Sequence, residues 1–359
     1  MVLPLRPDLR SLPAYVPGKP APVGPDGVSY KLSSNENPYP PLPSVLDAVA
    51  QASTQLNRYP DAGNVAITEA VAESLGVSGD RLAFGAGSVG VLYHLLQATC
   101  LPGDEVVYAW RSFEAYPIAV QLTGATPVPV PLGPGATHDL TAMAAAVTNR
   151  TKVVLLCTPN NPTGPAISHD SLINFLDQVP PTVIVVVDEA YVEFVDDPAA
   201  ARGPAALEGR PNVVVLRTFS KAYGLAGFRV GFCLADPTVA TAVRAAALPF
   251  GVSVVAQAAV LASLAAKDEL MERVGTLVAE RATLLTGLRE LGFDVPDSQA
   301  NFVWLPAGER TRDWAATFDR HGLMTRPYVA GNEFDGVRIT VGEPAANELV
   351  LRVAAELDR

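Results

Sequence analysis

The stretch NVVVLRTFSKAYGLAGFRVG, residues 212–231, joins a valine-rich run to a loop with one lysine among small residues. A continuous apolar run of this kind predicts a strand that is buried on both faces of a parallel sheet. Lys221 follows the run and is therefore expected beyond the carboxyl end of the strand, where ligands bind in open α/β sheets. Runs of the same texture are DEVVYA (104–109), TPVPVPL (126–132), KVVLLC (152–157), TVIVVV (182–187) and VGFCLA (230–235). Because alanine-rich stretches separate them, we predict an α/β fold with a mostly parallel sheet covered by helices.

The length of the chain predicts more than one domain. Its 359 residues exceed the roughly 250 to 300 residues that one hydrophobic core usually serves. After about residue 250 the pattern changes to a long helix, 271–291, followed by the strand-like runs NFVWL and VRITVG. We predict an N-terminal arm (1–30), a large α/β/α domain (31–245) and a smaller α+β domain (246–359).

Charge and composition narrow the class of partner. The net charge of -11 disfavours nucleic acid and anionic membrane, so small molecules are expected as partners. Residues 245–266 are nearly all apolar and about long enough to span a bilayer. Pro249, Gly251 and many alanines instead favour a buried helix between domains. The three cysteines form no CxxC pair or metal-ligand spacing, and no signal peptide is evident, so a reducing cytoplasm and no bound metal are expected.

Lys221 has two interpretations. A lone lysine after a strand is usually a solvated surface residue. Here Ser220 and Arg229 flank it at a spacing that could hold a phosphate, and Gly224 and Gly227 allow close backbone approach. A lysine among apolar walls also loses its proton more readily, which favours a nucleophile.

Two acidic and amide motifs also follow strands. In VVVDEAY, Asp188 stands at a strand end, where an aspartate is ordinarily a helix N-cap; Glu189 and Glu193 are predicted to be surface charges. In CTPNNPTG, a turn follows the strand, and Asn161, rather than Asn160, is predicted to donate to a ligand hydroxyl.

A third motif, FGAGSVGVLYHLLQ, predicts an anion site. Gly85, Gly87 and Ser88 precede a helix whose free N–H groups and dipole attract negative charge. Glycine-rich turns before helices are common, so this motif gains weight only beside the lysine motif.

The motifs SNENPYP, RYPD, TPNNPTG, DEAY, SKAYGLAGFRVG and VRITVG occur in the order found in fold-type I aminotransferases, which depend on pyridoxal 5'-phosphate (PLP). The chain resembles the histidinol-phosphate aminotransferase subgroup over essentially its whole length. Within it, GSVGVLYHLLQ, WRSFEAYP and SQANFVWLP are most similar to the actinobacterial aromatic-amino-acid aminotransferases.

The resemblance implies a role for each motif residue. Lys221 would form the Schiff base with PLP and later move the proton, and Asp188 would pair with the pyridine nitrogen. Asn161 and Tyr191 would hold the ring oxygen. The residues implied around the phosphate are Ala86, Gly87, Ser88, Ser220, Arg229 and, from the neighbouring subunit of a homodimer, Tyr59.

The resemblance also implies a substrate pocket. Arg338 would bind the α-carboxylate, although an exposed strand arginine is the alternative. Phe113 stands where related sequences often have a tyrosine that stacks on the cofactor ring. Tyr15 would close over the pocket and Asn35 would line it.

The implied reaction is transamination between an aromatic amino acid and 2-oxoglutarate. Three alternatives stay open. The first is histidinol-phosphate aminotransferase, since Arg326 and Tyr15 could serve a substrate phosphate. The second is a decarboxylase on the same fold, and the third is a PLP-binding regulator without turnover.

Overall fold

The computed structural model describes residues 6, 12, 18, 20–25, 27–331 and 334–358. The helices are α1 (Pro43–Ser53), α2 (Val65–Leu75), α3 (Gly87–Thr99), α4 (Ala115–Thr123), α5 (Leu140–Ala145), α6 (His169–Leu176), α7 (Gly203–Ala206), α8 (Pro237–Ala246), α9 (Val254–Ala265), α10 (Lys267–Glu290), α11 (Thr311–Arg320) and α12 (Pro344–Ala354). The strands are β1 (Tyr30–Lys31), β2 (Leu82–Gly85), β3 (Glu105–Trp110), β4 (Thr126–Pro131), β5 (Thr151–Cys157), β6 (Ile184–Asp188), β7 (Val213–Thr218), β8 (Gly231–Leu234), β9 (Phe302–Pro306), β10 (Leu323–Met324), β11 (Arg326–Tyr328) and β12 (Gly336–Thr340).

The large sheet has seven strands in the order β2-β8-β7-β6-β5-β3-β4. Strand β8 runs antiparallel to both of its neighbours, and the other adjacent pairs are parallel. Each of the six predicted strands overlaps an observed one, so the predicted α/β fold with a mostly parallel sheet is confirmed. Strand β2 was not predicted, because its four residues are too short to stand out from the glycine-rich turn that follows.

Both faces of this sheet are buried, which explains the unbroken valine runs. In β6, Val185 and Val187 pack into one hydrophobic cluster, while Val186 packs into the cluster on the opposite face. Successive side chains of a strand point to opposite faces, so a sheet covered by helices on both sides needs apolar residues at every position.

A second, three-stranded sheet has the order β11-β12-β9 and is antiparallel. Its core includes Leu284 of α10, Phe318 of α11 and Val350 of α12. Strand β1 pairs in parallel with β10. Helix α9 packs on the large-sheet cluster through Ala256 and Val260. The division of the chain at residues 30 and 245 stays a prediction.

The apolar stretch 245–266 is not the single buried helix that was expected. Helix α8 ends at Ala246, and α9 begins only after residues 247–253, with the Ser253 hydroxyl accepting a hydrogen bond from the backbone N–H of Ala256. Proline and glycine within the stretch interrupt the helix. No helix among the described residues has the length and apolar character that a bilayer crossing needs.

Candidate active site

A cavity of about 430 Å³ opens beyond the carboxyl ends of β5, β6 and β7. Parallel strands bring their ends to one edge of a sheet, so side chains distant in sequence meet there. The sequence-predicted residues that line the cavity are Asn35, Ser88, Phe113, Asn161, Asp188, Tyr191, Ser220, Lys221, Arg229, Arg326 and Arg338. Tyr15 lies outside the described residues.

Lys221 lies inside the cavity and not on the surface. Its Nζ donates to the backbone oxygen of Ser34 at 3.0 Å and lies 5.7 Å from the centre of the Tyr191 ring. Burial, helped by the nearby guanidinium groups of Arg338 and Arg229, lowers the pKa of Lys221 to about 7. An amine with that pKa is neutral in about half of the molecules at pH 7 and can act as a nucleophile or base.

Asp188 ends β6 and is buried. Its carboxylate accepts a hydrogen bond from the Tyr116 hydroxyl at 2.8 Å and from the Ala190 backbone N–H at 3.2 Å. Burial raises the pKa of Asp188 to about 6, against the opposing effect of these hydrogen bonds. Tyr116 was missed by the sequence interpretation. No spacing rule connects two residues 72 positions apart.

The prediction that Glu189 is a surface charge was wrong. Its side chain is fully buried, forms an ion pair with Arg217 at 2.7 Å and accepts the backbone N–H of Gly203. Glu193 is half-buried, and desolvation raises the pKa of its carboxyl to about 7. The strand pattern predicted where β6 ends. Which acid after that end is buried depends on the ion pair with Arg217 of β7, and the pattern does not contain that contact.

The predicted anion site lies where α3 begins, beside Arg229. Gly87 has a φ of +75°, and a Cβ there would come within 2.5 Å of Nη2 of Arg229. Arg229 Nη1 donates to the Ser220 hydroxyl at 3.3 Å, and Ser88 lines the cavity. Ala86, which precedes the helix, and Gly87 are not among the lining residues. A helix N-terminus, two hydroxyls and a guanidinium form a donor set that fits a phosphate.

The middle of the cavity carries amide and phenol groups. The Tyr191 hydroxyl accepts from Nδ2 of Asn35 at 2.9 Å, and burial raises the pKa of Tyr191. The Asn161 side-chain oxygen accepts from Nη1 of Arg338, so its Nδ2 faces away from that bond with both hydrogens available to other acceptors. The resemblance implies that Asn161 and Tyr191 hold the same ring oxygen, and in the structure both line one cavity.

Arg338, on β12, is buried and is not an exposed strand arginine. Nη1 donates to Asn161 and to the Tyr328 hydroxyl, and Nη2 donates to the Ser33 backbone oxygen. Among the residues that the structure describes, its Nε is buried without a hydrogen-bond partner. A guanidinium has five N–H donors, so Nε–H and one hydrogen on Nη2 remain to meet a carboxylate with two bonds.

Arg326 of β11 reaches the cavity in an ion pair that the sequence did not reveal. Its Nη2 lies 2.7 Å from Oε2 of Glu114, whose Oε1 lies 3.6 Å from Nη1 of Arg111. Glu114 stands in the WRSFEAYP stretch, but nothing in that stretch points to a partner more than 200 positions away.

Phe113 and Tyr59 differ in placement. The Phe113 ring lies in the cavity, edge-on to Tyr116 at 5.6 Å. Tyr59 does not line the cavity of its own chain; its side chain is 82% exposed and stacks on the Phe250 ring at 4.6 Å.

Comparison with known proteins agrees with this geometry. The family model for aminotransferase class I and II matches residues 29–353. The aromatic amino acid aminotransferase of Streptomyces avermitilis is 56% identical, over 97% of this chain and 96% of that protein. That of Thermobifida fusca is 53% identical, over 98% and 96%.

The similar solved structures are also aminotransferases. The crystal structure of histidinol-phosphate aminotransferase from Sinorhizobium meliloti, in complex with pyridoxal-5'-phosphate, matches with a TM-score of 0.89 and 29% identity, covering 99% of this chain and 98% of that one. An aspartate aminotransferase variant from Thermus thermophilus shares the fold at 23% identity and a TM-score of 0.80. The fold is that of the fold-type I aminotransferases, and the chain belongs to the aminotransferase class I and II family.

Proposed function

We propose that the cavity binds PLP and that the protein transfers the amino group of an aromatic L-amino acid to 2-oxoglutarate, giving the aryl 2-oxo acid and L-glutamate. The observation that supports this most directly is a lysine with a pKa of about 7 in the same cavity as a buried aspartate and an arginine-lined anion site. When bound, PLP supplies an electron sink that stabilises negative charge at the substrate Cα.

The residues present fit this cofactor. Asp188 would pair with the ring nitrogen and keep it protonated, and Asn161 and Tyr191 would hold the ring oxygen. Phe113 would stack on the ring without the hydroxyl that a tyrosine would add. The phosphate would be held by Ser88, Ser220 and Arg229 with the backbone at Ala86 and Gly87.

Lys221 would move the proton. Its amine is half neutral near pH 7, so it can take a proton from the substrate Cα and return it at another atom. The cavity walls and the hydrogen bond to Ser34 hold the amine in position and limit its contact with water. The hydrogen bond from Asn35 to the Tyr191 hydroxyl holds the Tyr191 side of the cavity in place.

Arg338 would bind the α-carboxylate of the substrate through its remaining Nε and Nη2 donors. The side chain of an aromatic substrate would then face apolar walls that include Val89, Tyr93 and Ile118. Burial of an aromatic ring against such walls is favourable without any charged partner. The similarity to the aromatic amino acid aminotransferases of Streptomyces avermitilis and Thermobifida fusca supports this choice of substrate.

Histidinol phosphate is the second candidate donor. Arg326 at the cavity wall could bind its phosphate, and the similar Sinorhizobium meliloti protein is named a histidinol-phosphate aminotransferase. Single-turnover amino transfer from each donor to the PLP-loaded enzyme decides between them. We expect a higher kcat/KM for phenylalanine; faster transfer from histidinol phosphate would place the protein in the other branch.

The variant Arg338→Ala sharpens the comparison. Phenylalanine carries an α-carboxylate and histidinol phosphate carries none. The variant is therefore expected to impair the phenylalanine half-reaction more, by about 1.5 to 3 kcal/mol, which is typical for charged hydrogen bonds. Analysis of the product distinguishes the remaining chemistry: phenylpyruvate is expected, phenethylamine would indicate a decarboxylase, and no product would indicate mere binding.

A further inference from the structure

Two arginines stand opposite each other at one wall of the cavity. Strands β11 and β12 are antiparallel, and their register pairs Arg326 directly with Arg338. Side chains at opposed positions lie on the same face of a sheet, where like charges destabilise each other. Each guanidinium in this pair therefore needs compensation from its own surroundings.

The two arginines are compensated differently. The hydrogen bonds of Arg338 go to neutral acceptors on Asn161, Tyr328 and Ser33. Arg326 instead forms an ion pair with Glu114 at 2.7 Å. A carboxylate therefore neutralises the charge of Arg326, whereas the described partners of Arg338 are all uncharged.

Glu114 is shared with a third arginine. Its other oxygen lies 3.6 Å from Arg111, whose guanidinium stacks on Tyr328 at 5.2 Å, while Arg326 stacks on the same ring at 5.6 Å. The three charged side chains are each less than one-third exposed. Water therefore screens their charges less than it would on an open surface.

The charges of this cluster add to a small value. Within the part of the chain that the structure describes, the guanidiniums of Arg111 and Arg326 and the carboxylate of Glu114 together carry one positive unit. A single carboxylate on a substrate side chain matches that charge, and an apolar ring meets a largely neutralised ion pair. A phosphate monoester, with nearly two negative charges at pH 7, is undercompensated and faces the Glu114 carboxylate as well.

We infer that Glu114 is a specificity-determining residue, which neutralises Arg326 so that the cavity accepts a ring or a single carboxylate and disfavours a phosphate. The inference rests on the proposed function, because it concerns which amino donors and acceptors that site admits. In this arrangement the same wall serves phenylalanine and the side-chain carboxylate of 2-oxoglutarate.

Direct binding to the PLP-loaded enzyme tests the inference. Three probes share one carboxylate for Arg338 and differ at the other end: 3-phenylpropionate, glutarate and 4-phosphonobutyrate. In Glu114→Gln, calorimetry is expected to show 4-phosphonobutyrate binding about tenfold more tightly relative to 3-phenylpropionate than in the unaltered enzyme. Single-turnover transfer from histidinol phosphate is expected to rise relative to phenylalanine in the same variant.

Three further variants isolate the charge. Glu114→Asp keeps the carboxylate and is expected to retain the original preference, and Glu269→Gln removes a carboxylate from the surface pair with Arg273 and leaves all three affinities unchanged. Glu114→Gln combined with Arg326→Gln is expected to lose the gain for 4-phosphonobutyrate. An unchanged probe ratio in folded Glu114→Gln, or a gain that survives in the double variant, overturns the inference.

Failure of the proposed function gives a different result. If phenylalanine transfers no amino group to the unaltered enzyme, the proposed activity is wrong, whatever the calorimetry shows. If phenylalanine is used but the probe ratio does not respond to Glu114→Gln, only the role of Glu114 is wrong.

Discussion

At the scale of single residues, the surroundings of Lys221 define its chemistry. The variant Lys221→Ala is expected to bind PLP without a covalent link and to lose about 100- to 10,000-fold in turnover, because a positioned proton carrier is removed. Absorbance of the bound cofactor and the steady-state rate measure the two effects. Lys152→Ala is the matched control, since that ammonium lies near the surface, 3.9 Å from Asp104. Transamination at the original rate in Lys221→Ala would remove the catalytic role of this lysine.

The lowered pKa of Lys221 predicts how cofactor capture depends on pH. Only the neutral amine attacks a carbonyl, so the rate of covalent PLP capture by the apoenzyme should rise as pH increases through about 7 and level off above it. Stopped-flow absorbance between about pH 6 and pH 9 measures this rate. A lysine with its ordinary pKa of 10.5 would instead give a rate that still increases tenfold per pH unit at pH 9.

The position of a residue at the cavity could be predicted from sequence where a strand end marks it, while the role of that residue stays a prediction. Lys221 and Asn161 follow β7 and β5, Asp188 is the last residue of β6, and all three line the cavity. It failed where a partner on another element decides the environment. The contact of Tyr116 with Asp188 and that of Glu114 with Arg326 join groups 72 and 212 positions apart, which no local pattern contains.

At the scale of elements, the ends of β6 and β7 are joined by the ion pair of Glu189 and Arg217. The Arg217 side chain is 16% exposed and that of Glu189 is fully covered. Glu189→Ala would leave the buried guanidinium without its carboxylate and the Gly203 N–H without its acceptor. A loss of about 3 to 5 kcal/mol in the free energy of unfolding is expected.

Thermal and chemical unfolding of the variant measure this loss. The control is Glu269→Ala, whose exposed pair with Arg273 is expected to contribute about 1 kcal/mol or less. Equal destabilisation by the two variants would mean that the buried pair contributes no more than the surface one.

Element boundaries were predictable to within a few residues where apolar runs were long. The long helix expected at 271–291 is α10, Lys267–Glu290. The stretch 245–266 was misread as one helix, because its composition is uniformly apolar while its backbone breaks at residues 247–253. Apolar composition predicts that a segment is buried. Where the helix breaks depends instead on Pro249 and Gly251, which disfavour helical backbone.

At the scale of the whole molecule, we propose a homodimer, and the observation that supports it is a set of exposed apolar side chains. Tyr59 and Phe250 stack on each other with most of the tyrosine in solvent, and Leu56 and Leu248 are also exposed. We propose that Tyr59 reaches the phosphate of the partner subunit. Contiguous exposed apolar surface is typical of interaction sites in soluble proteins.

Mixing two inactive variants tests this shared site. In a heterodimer of Tyr59→Ala and Lys221→Ala chains, one of the two sites would contain both intact residues. Denaturation and reassembly of an equal mixture should restore activity to about a quarter of the original, since about half of the dimers are mixed. With heterodimers shown by mass, activity no higher than that of either parent would contradict a shared site.

The pairing of the first strand with the last part of the chain has a consequence for synthesis on the ribosome. Strand β1 pairs with β10, and the Asn35 backbone N–H binds the Thr340 hydroxyl, so one wall of the cavity joins segments 305 positions apart. The early segment is translated first and meets these two partners only after residues 323–340 have emerged. At about 5 to 20 residues per second, that interval lasts roughly 15 to 60 seconds. The nascent chain therefore cannot assemble this wall, or bring the arginine proposed for carboxylate binding, Arg338, to the cavity, until the segment that carries β12 has left the ribosome.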